Sequence, residues 1–400
     1  MEVQGEGEGG GVSGRGESAV VNASTGQATP LRGRIAALDQ FRGYTVLGML
    51  LVNFVGRFEA TPGWLKHHTV NCCYADTIMP QFFFAVGFAY RLTFLRRLRD
   101  PGAGASLAFG HAIRRNLGLI LLGVVFYHLD GTYLHWSDLQ RIGLVGVLRA
   151  SFQRDPIQTL THIGFTSLWV LPVIARSVRA RLVWTLMSAV LHLVLSSWFY
   201  AEFAWTRPVI DGGLLGFLTW TIPLLAGSLA YDALAARGAS RSIAPLLFWA
   251  VVLALAGYAL AWLGGGGGGE NSSPGQVFAP GQPWIPFATP VRPVHINIWM
   301  MSQRSGSATY LIFATGVSLA VLAVFVALAD VAGVQIGVFR TFGGNALAAY
   351  LVHGIVSGAI SPFAPRDAPG WYAAAATAVY LGINWLFIRH LERTGVALKM

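Results

Sequence analysis

The chain has 400 residues, of which 54% are hydrophobic and only 12% are charged. Soluble globular proteins carry about 25% charged residues, so this composition excludes an ordinary soluble chain. The net charge of +10 comes mainly from arginines that flank apolar segments, as is usual in membrane proteins. Because this bias explains the charge, we expect no nucleic-acid partner. The only two cysteines, Cys72 and Cys73, are adjacent and predict no disulfide framework.

Residues 1–33 are rich in Gly, Ser, Glu and Thr and predict a disordered N-terminal tail that is not a signal peptide. Residues 34–400 predict one all-α, polytopic transmembrane helix bundle, because apolar segments near the ~20 residues that cross a bilayer recur along them. His128–Pro156 holds too many charges to count as a span, and Gly264–Ser307 predicts a long Gly/Pro-rich external loop. About ten spans are predicted: Tyr44–Val55 with its flanks, Ala75–Tyr90, Asn116–Tyr127, Ile157–Ile174, Leu182–Tyr200, Gly212–Tyr231, Ile243–Leu263, Ala308–Ala329, Ile336–Ile360 and Trp371–Ile388.

The arginines of this arrangement fall mostly on one side of the membrane. They cluster before the first span and at 96–115, 176–181, 237–241 and 389–399. The positive-inside rule makes that side cytoplasmic, so we expect both termini in the cytoplasm and the loop with His67 outside. The sequence therefore predicts an integral protein of the cell (inner) membrane, with the lipid bilayer as its main partner, and leaves a homodimer open.

Polar side chains interrupt the first span on one face. At 100° per residue, Arg42 lies about 60° and Asn53 about 40° from Asp39 around a helix. Such residues are costly against lipid, so this face is expected to look into the protein interior or a water-filled cavity. Asp76, at the head of the second span, adds a carboxylate. Both a structural ion-pair role and a functional role remain open for these residues.

The same region carries a family resemblance. It reads D-x-x-R-G from Asp39, then Asn53, then K-H-x-x-x-N from Lys66, A-D-x-x-x-P-x-F from Ala75, and F-x-x-G from Phe84. This order resembles the start of the heparan-α-glucosaminide N-acetyltransferase family of multi-pass membrane acetyltransferases. The sequence departs from the family pattern in the loop before Asp76, which is one residue shorter and contains the cysteine pair.

The resemblance implies an acyltransferase in which His67 is the catalytic histidine, and we predict a catalytic group of His67, Asp76 and Asn71. An imidazole has the right pKa to take a proton from an amine or hydroxyl near neutral pH. Acetyl-CoA would be a donor substrate from the cytoplasmic side, with no permanently bound cofactor, and an amino sugar or other glycan outside would be the acceptor. The sequence leaves open whether His67 acts as a base or carries the acyl group, and whether the acceptor atom is N or O.

Weaker resemblances extend to an N-x-x-x-x-Y-x-x-H segment in the ninth span, to Asp211–Gly216 and to Asn297–Trp299.

No metal site is predicted, because the candidate ligands occur as adjacent pairs whose side chains diverge. The alternative function is a multi-pass transporter of a small solute; residues 200–400 show no second copy of the Asp-x-x-Arg-Gly block, which favours the enzyme. The predicted substrate- and donor-lining residues are Asp39, Arg42 (for the donor's phosphates), Asn53, Asp211, Asn297, Asn345 and His353.

Overall fold

The computed structural model describes residues 35–68, 72–100, 102, 104–128, 135–151, 158–206, 211–263, 298–396 and 398. These residues form α-helices joined by turns, with no β-strand among them, which confirms the all-α prediction. Two π-helical segments, Ser196–Tyr200 and Val326–Val331, continue the sixth and tenth helices. In chain order the α-helices are α1 Ala36–Val55, α2 Tyr74–Leu98, α3 Gly104–His128, α4 Trp136–Ser151, α5 Thr159–Val170, α6 Val178–Leu195, α7 Ala201–Thr206, α8 Phe217–Arg237, α9 Ala239–Leu263, α10 Ala308–Phe325, α11 Gly337–Gly344, α12 Ala346–Ile360 and α13 Gly370–Arg393.

Eight helices of the described residues are long and apolar enough to cross a membrane, so the prediction of ten spans was too high. The two predicted spans that do not qualify correspond to α1 and α5. Polar side chains such as Asp39, Arg42 and Asn53 lower the hydropathy of α1, and α5 has only 12 residues. Both helices still lie inside the bundle: α1 packs against α2, α11 and α13, and α5 packs against α3 and α8.

The predicted ninth span, Ile336–Ile360, is not one continuous helix. It is divided at Asn345, whose φ of −127° and ψ of 45° end α11 before α12 begins. Two glycines precede this residue, and glycine is a poor helix former. The predicted span is therefore two helices, α11 and α12, that meet at Asn345.

Close helix packing depends on glycines at two crossings. At Gly87 the backbones of α2 and α8 are in direct contact, because a Cβ atom there would lie only 1.7 Å from the backbone oxygen of Leu224. A Cβ on Gly43 would lie 1.8 Å from the backbone oxygen of Phe339, where α1 meets α11. Only glycine lets backbones approach this closely, a common device of membrane helix bundles.

The outer helices carry exposed apolar side chains, while α2, α8 and α10 are mostly buried between them. Leu121 on α3 is 63% exposed, Phe248 on α9 is 61% exposed and Leu386 on α13 is 61% exposed. A soluble protein does not expose apolar patches of this extent. The chain is therefore a membrane-embedded helical bundle.

The bundle has two chemically distinct ends. We call the end that holds His67, the C-terminus of α1 and the N-terminus of α2 the histidine end, and the opposite end the arginine end. At the arginine end, Asp232 pairs with Arg91 (Nε to Oδ1 3.0 Å) and with Arg181, joining α2, α6 and α8. Arginines gather there at the helix ends and turns: Arg96, Arg97, Arg176, Arg179, Arg181, Arg237, Arg241, Arg340, Arg389 and Arg393.

Candidate functional site

Asp76 is held rigidly at the start of α2. It is fully buried, and its Oδ2 accepts a hydrogen bond from the backbone N–H of Cys73 at 3.1 Å, while its Oδ1 accepts one from the backbone N–H of His68 at 3.3 Å. Cys73 is the N-cap residue, and Asp76 is the third residue of the helix, which gives the reciprocal bonding of a capping box. The start of α2 therefore fixes the position and the angle of this carboxylate.

His67 completes a His–Asp pair with this carboxylate. Its Nδ1 lies 3.0 Å from Asp76 Oδ1, and its side chain is 44% exposed while that of Asp76 is 0% exposed. Its Nε2 faces Asn53 Oδ1 at 3.4 Å, so the last turn of α1 borders the reactive edge of the ring. A buried carboxylate on Nδ1 orients an imidazole and leaves Nε2 to take up a proton.

The pKa of His67 is raised above its ordinary value. Burial opposes protonation, but the hydrogen bond that His67 Nδ1–H donates to Asp76 and the negative charges of Asp76 and Asp211 outweigh it, with a smaller contribution from Gln303. The imidazole thus lies in a field that stabilises its protonated form. A histidine that accepts a proton during a reaction benefits from such a field.

His67 opens onto a cavity of about 760 Å³ at the histidine end. One wall is apolar and is formed by α1 and α2, with side chains such as Met49, Ile78 and Phe82. The polar lining residues come from distant parts of the chain. The predicted ones are Asn53, His67, Asp211 and His353, and the further polar ones are His68, Tyr127, Gln158, Thr159, Gln303, Arg304 and Tyr350.

Asp211 is built into this cavity by an unusual turn. It is the only residue other than glycine with a positive φ, 56°, among the described residues. Its carboxylate accepts a hydrogen bond from Gln303 Nε2 at 2.9 Å, and its backbone oxygen accepts one from Trp220 Nε1 at 2.7 Å. A strained backbone that is held by several partners is typical of functional sites. Gln303 was not predicted, because nothing in the sequence around Gln303 indicates a contact with Asp211.

Two tyrosines close the side of the cavity between α3 and α12. The hydroxyl groups of Tyr127 and Tyr350 are hydrogen-bonded to each other, and His353 Nδ1 contacts the backbone oxygen of Tyr350. The sequence indicated Tyr350 and His353 through the segment in the ninth span, but not Tyr127. Tyr127 lies in the last turn of α3, and its segment gives no sign of this contact.

Asp39 and Arg42 do not reach the cavity. They lie near the start of α1, where Arg42 Nη1 is 4.0 Å from Asp39 Oδ1, and α1 places Asp39 about 21 Å along the helix axis from Asn53. Asn345 is 5% exposed at the break between α11 and α12 and does not line the cavity either. The predicted residues Asn71 and Asn297 lie outside the described residues.

Three possible metal ligands meet beside His67. His68 Nδ1 lies 3.3 Å from Cys73 Sγ, which lies 3.2 Å from Asp76 Oδ2, and ligand atoms of all three fall within 4.8 Å of one another. Burial and the neighbouring Asp76 raise the pKa of the Cys73 thiol to about 12, so the thiol keeps its proton and donates to Asp76 or to Lys66 O. These hydrogen bonds account for the grouping without an ion. Cys72 is fully buried.

A scan against models of protein families found no match for this chain, and a search of curated proteins found none either. The resemblance to the heparan-α-glucosaminide N-acetyltransferase family therefore stays a prediction. The site has to be interpreted from its own residues.

Proposed function

We propose that the chain is a membrane acyltransferase that moves an acetyl group from acetyl-CoA to an amino sugar or other glycan acceptor, with His67 as the general base. The observation that carries this proposal is the His67–Asp76 pair at the wall of the cavity. It combines a buried carboxylate that orients the ring through Nδ1, an Nε2 that borders the cavity beside Asn53, and a raised histidine pKa. The cavity volume of about 760 Å³ falls within the range of small-molecule sites.

His67 would act on the acceptor's amine or hydroxyl group. Nδ1–H is donated to Asp76, so Nε2 carries the lone pair and removes the acceptor's proton as the acceptor's N or O attacks the thioester carbonyl carbon. The C–S bond then breaks, and the protonated Nε2 delivers its proton to the departing thiolate, which leaves as free thiol. Asp76 stabilises the transient imidazolium, and Asp211 adds a second negative charge to the same field.

The acetyl-CoA donor would be bound along α1. Arg42 lies about 16 Å along the helix axis from Asn53, so it cannot touch a group that reacts at His67. It could instead bind the phosphates of an extended donor whose thioester lies in the cavity, because arginine suits phosphate recognition. This arrangement assigns Arg42 to the far end of the donor and Asn53 to the reacting end.

The direct test uses purified protein, acetyl-CoA and a panel of amino sugars, with release of free thiol as the readout. We expect thiol release that depends on at least one acceptor, with an acetylated sugar detected by mass spectrometry in equal amount. Release without acetylated product would indicate only thioester hydrolysis, and no release across the panel would count against acyl transfer.

A small-solute transporter is the second candidate function, and the divided span α11–α12 favours it. Discontinuous helices line the substrate sites of many transporters, and Asn345 Oδ1 at this break has no hydrogen-bond partner among the described residues. Uptake of a labelled amino sugar into vesicles without acetyl-CoA would support transport. Acetylated sugar that appears only when acetyl-CoA is present would support the enzyme.

We further propose that the arginine end faces the cytoplasm, in the inner membrane of the cell, so that donor and acceptor approach from opposite sides. The gathering of arginines at one end of the bundle supports this orientation. Reporter fusions at Met400 and after Arg237 are expected to read cytoplasmic, and a fusion within Gly264–Ser273 is expected to read external. A cytoplasmic signal from the fusion within Gly264–Ser273 would contradict this orientation and would place His67 on the cytoplasmic side.

A further inference from the structure

An arginine lies in the middle of the outward-facing apolar stripe of α3. Leu107, Leu117, Leu121 and Val125 are 57%, 51%, 63% and 47% exposed. At 100° per residue, all four lie within about 60° of Arg114 around the helix. Arg114 is itself exposed. A guanidinium on a lipid-facing surface is costly unless it reaches the interface or meets an anion.

A cavity of about 320 Å³ lies beside this stripe and is lined by His111, Arg114, Arg115 and Gly118. These residues occupy adjacent positions on one side of α3, between the apolar stripe and the interior of the bundle. Arg114 Nε donates to the backbone oxygen of Gly110 at 3.3 Å, so the side chain points back toward the start of α3 at the arginine end. Asn116, which follows Arg115, donates from Nδ2 to Tyr90 Oη at 3.4 Å, and Tyr90 adjoins Arg91 of the Asp232 network, so the cavity lies at the level of that network at the arginine end.

The positive charge around this cavity is not balanced by the described protein. Arg115 Nη1 donates to Asn116 Oδ1 at 3.3 Å, a neutral partner. No ion pair among the described residues reaches Arg97, Arg114 or Arg115. An anion at this position would supply the countercharge that Arg114 and Arg115 lack among the described residues.

We propose that the cavity on α3 binds the phosphate of an anionic phospholipid, with Arg114 and Arg115 contacting the headgroup and acyl chains lying along Leu117 and Leu121. The headgroup matches the uncompensated charge, and the chains match the exposed leucines on the same face. Basic pockets on the surfaces of membrane proteins bind anionic headgroups in this way. This site is separate from the histidine end and goes beyond the proposed acyl transfer.

The proposal is tested on the full chain, delipidated in detergent and examined by native mass spectrometry. Phosphatidylglycerol and phosphatidylcholine with identical acyl chains are titrated separately, and an apparent Kd is obtained for each. The variants are Arg114→Gln, Arg115→Gln, the double variant that carries both changes, and Arg114→Lys. Arg241→Gln is the matched control, because Arg241 is an exposed arginine near the start of another candidate span, α9.

Tighter binding of phosphatidylglycerol than of phosphatidylcholine is expected. Arg114→Gln should weaken phosphatidylglycerol binding about fivefold and the double Gln variant about thirtyfold, whereas Arg114→Lys and Arg241→Gln should stay near the parent. If Arg115→Gln fails to fold, the exposed Arg114 variants alone decide the outcome. Equal binding of the two lipids, or equal weakening by Arg241→Gln, would overturn the proposal. Arginine-dependent binding of inorganic phosphate without a preference for phosphatidylglycerol would assign the cavity to a soluble ligand and would also overturn it.

Discussion

Replacing Asp232 by alanine is expected to destabilise the bundle more than any single change at an exposed ion pair. Asp232 Oδ1 accepts from Arg91 Nε at 3.0 Å, its Oδ2 accepts from Arg91 Nη2 at 3.2 Å, and Arg181 contacts the same carboxylate. The side chains of Arg91 and Arg181 are only 3% and 0% exposed. Breaking a buried pair from one side costs about 3–5 kcal/mol, and because two buried guanidinium groups lose their partner we expect the upper part of that range.

Glu392→Gln is the matched control for this prediction. Glu392 also lies at the arginine end and accepts from Arg389 Nη1 at 2.6 Å, but both side chains of this pair are 29% exposed, so its loss should cost at most about 1 kcal/mol. Thermal unfolding followed by tryptophan fluorescence in one detergent compares the two variants with the parent. Melting of Asp232→Ala at the parental temperature, or no lower than Glu392→Gln, would show that this network does not stabilise the fold.

Two further predictions concern the catalytic pair and the helix crossing of α1. Asp76→Asn should lower the rate of thiol release and move the acidic limb of its pH profile to lower pH. The carboxylate raises the pKa of His67, so without it the base becomes neutral at lower pH; an unchanged midpoint would refute the coupling. Gly43→Ala should cost about 1–3 kcal/mol of stability, because its Cβ would meet the Phe339 backbone, whereas Gly354→Ala has open space and should be neutral in the same melting assay. Equal melting of the two alanine variants would contradict this packing.

The all-α bundle could be predicted from the sequence, because apolar segments of membrane length are a strong signal. The number of spans could not, because hydropathy does not reveal that α5 has only 12 helical residues. The break at Asn345 was also missed, since an apolar run reads as continuous even where its backbone leaves the helix. The two glycines before Asn345 were the local sign of this break.

The candidate site was predicted in part. Asn53, His67 and Asp76 meet because they belong to one helical hairpin, where neighbours in sequence are neighbours in space. Helical angle alone grouped Asp39 with Asn53, but it ignores the rise along the helix, which separates them by about 21 Å. Asp211 was predicted through the family resemblance, which also supported His353, because contacts across 140 or more residues leave no periodic pattern.

The same reason explains what was missed altogether. Arg91 and Asp232 are 141 residues apart, and each resembles an ordinary charge near the end of a span. Gln303 and Tyr127 carry no local sign that they line the cavity. Their roles follow only from the way the helices assemble.

The comparison of His67→Ala with His68→Ala tests the central claim most directly. Both histidines line the cavity, but only His67 places a ring nitrogen 3.0 Å from Asp76, while the ring of His68 contacts Cys73 at 3.3 Å. A base displaced by about 1 Å can lose roughly a hundredfold in rate, so the two positions are not interchangeable. With acetyl-CoA and an accepted sugar, His67→Ala should abolish acetyl transfer while it keeps normal expression and melting, and His68→Ala should retain a substantial fraction of the rate. Near-parental transfer by a well-folded His67→Ala would contradict the account.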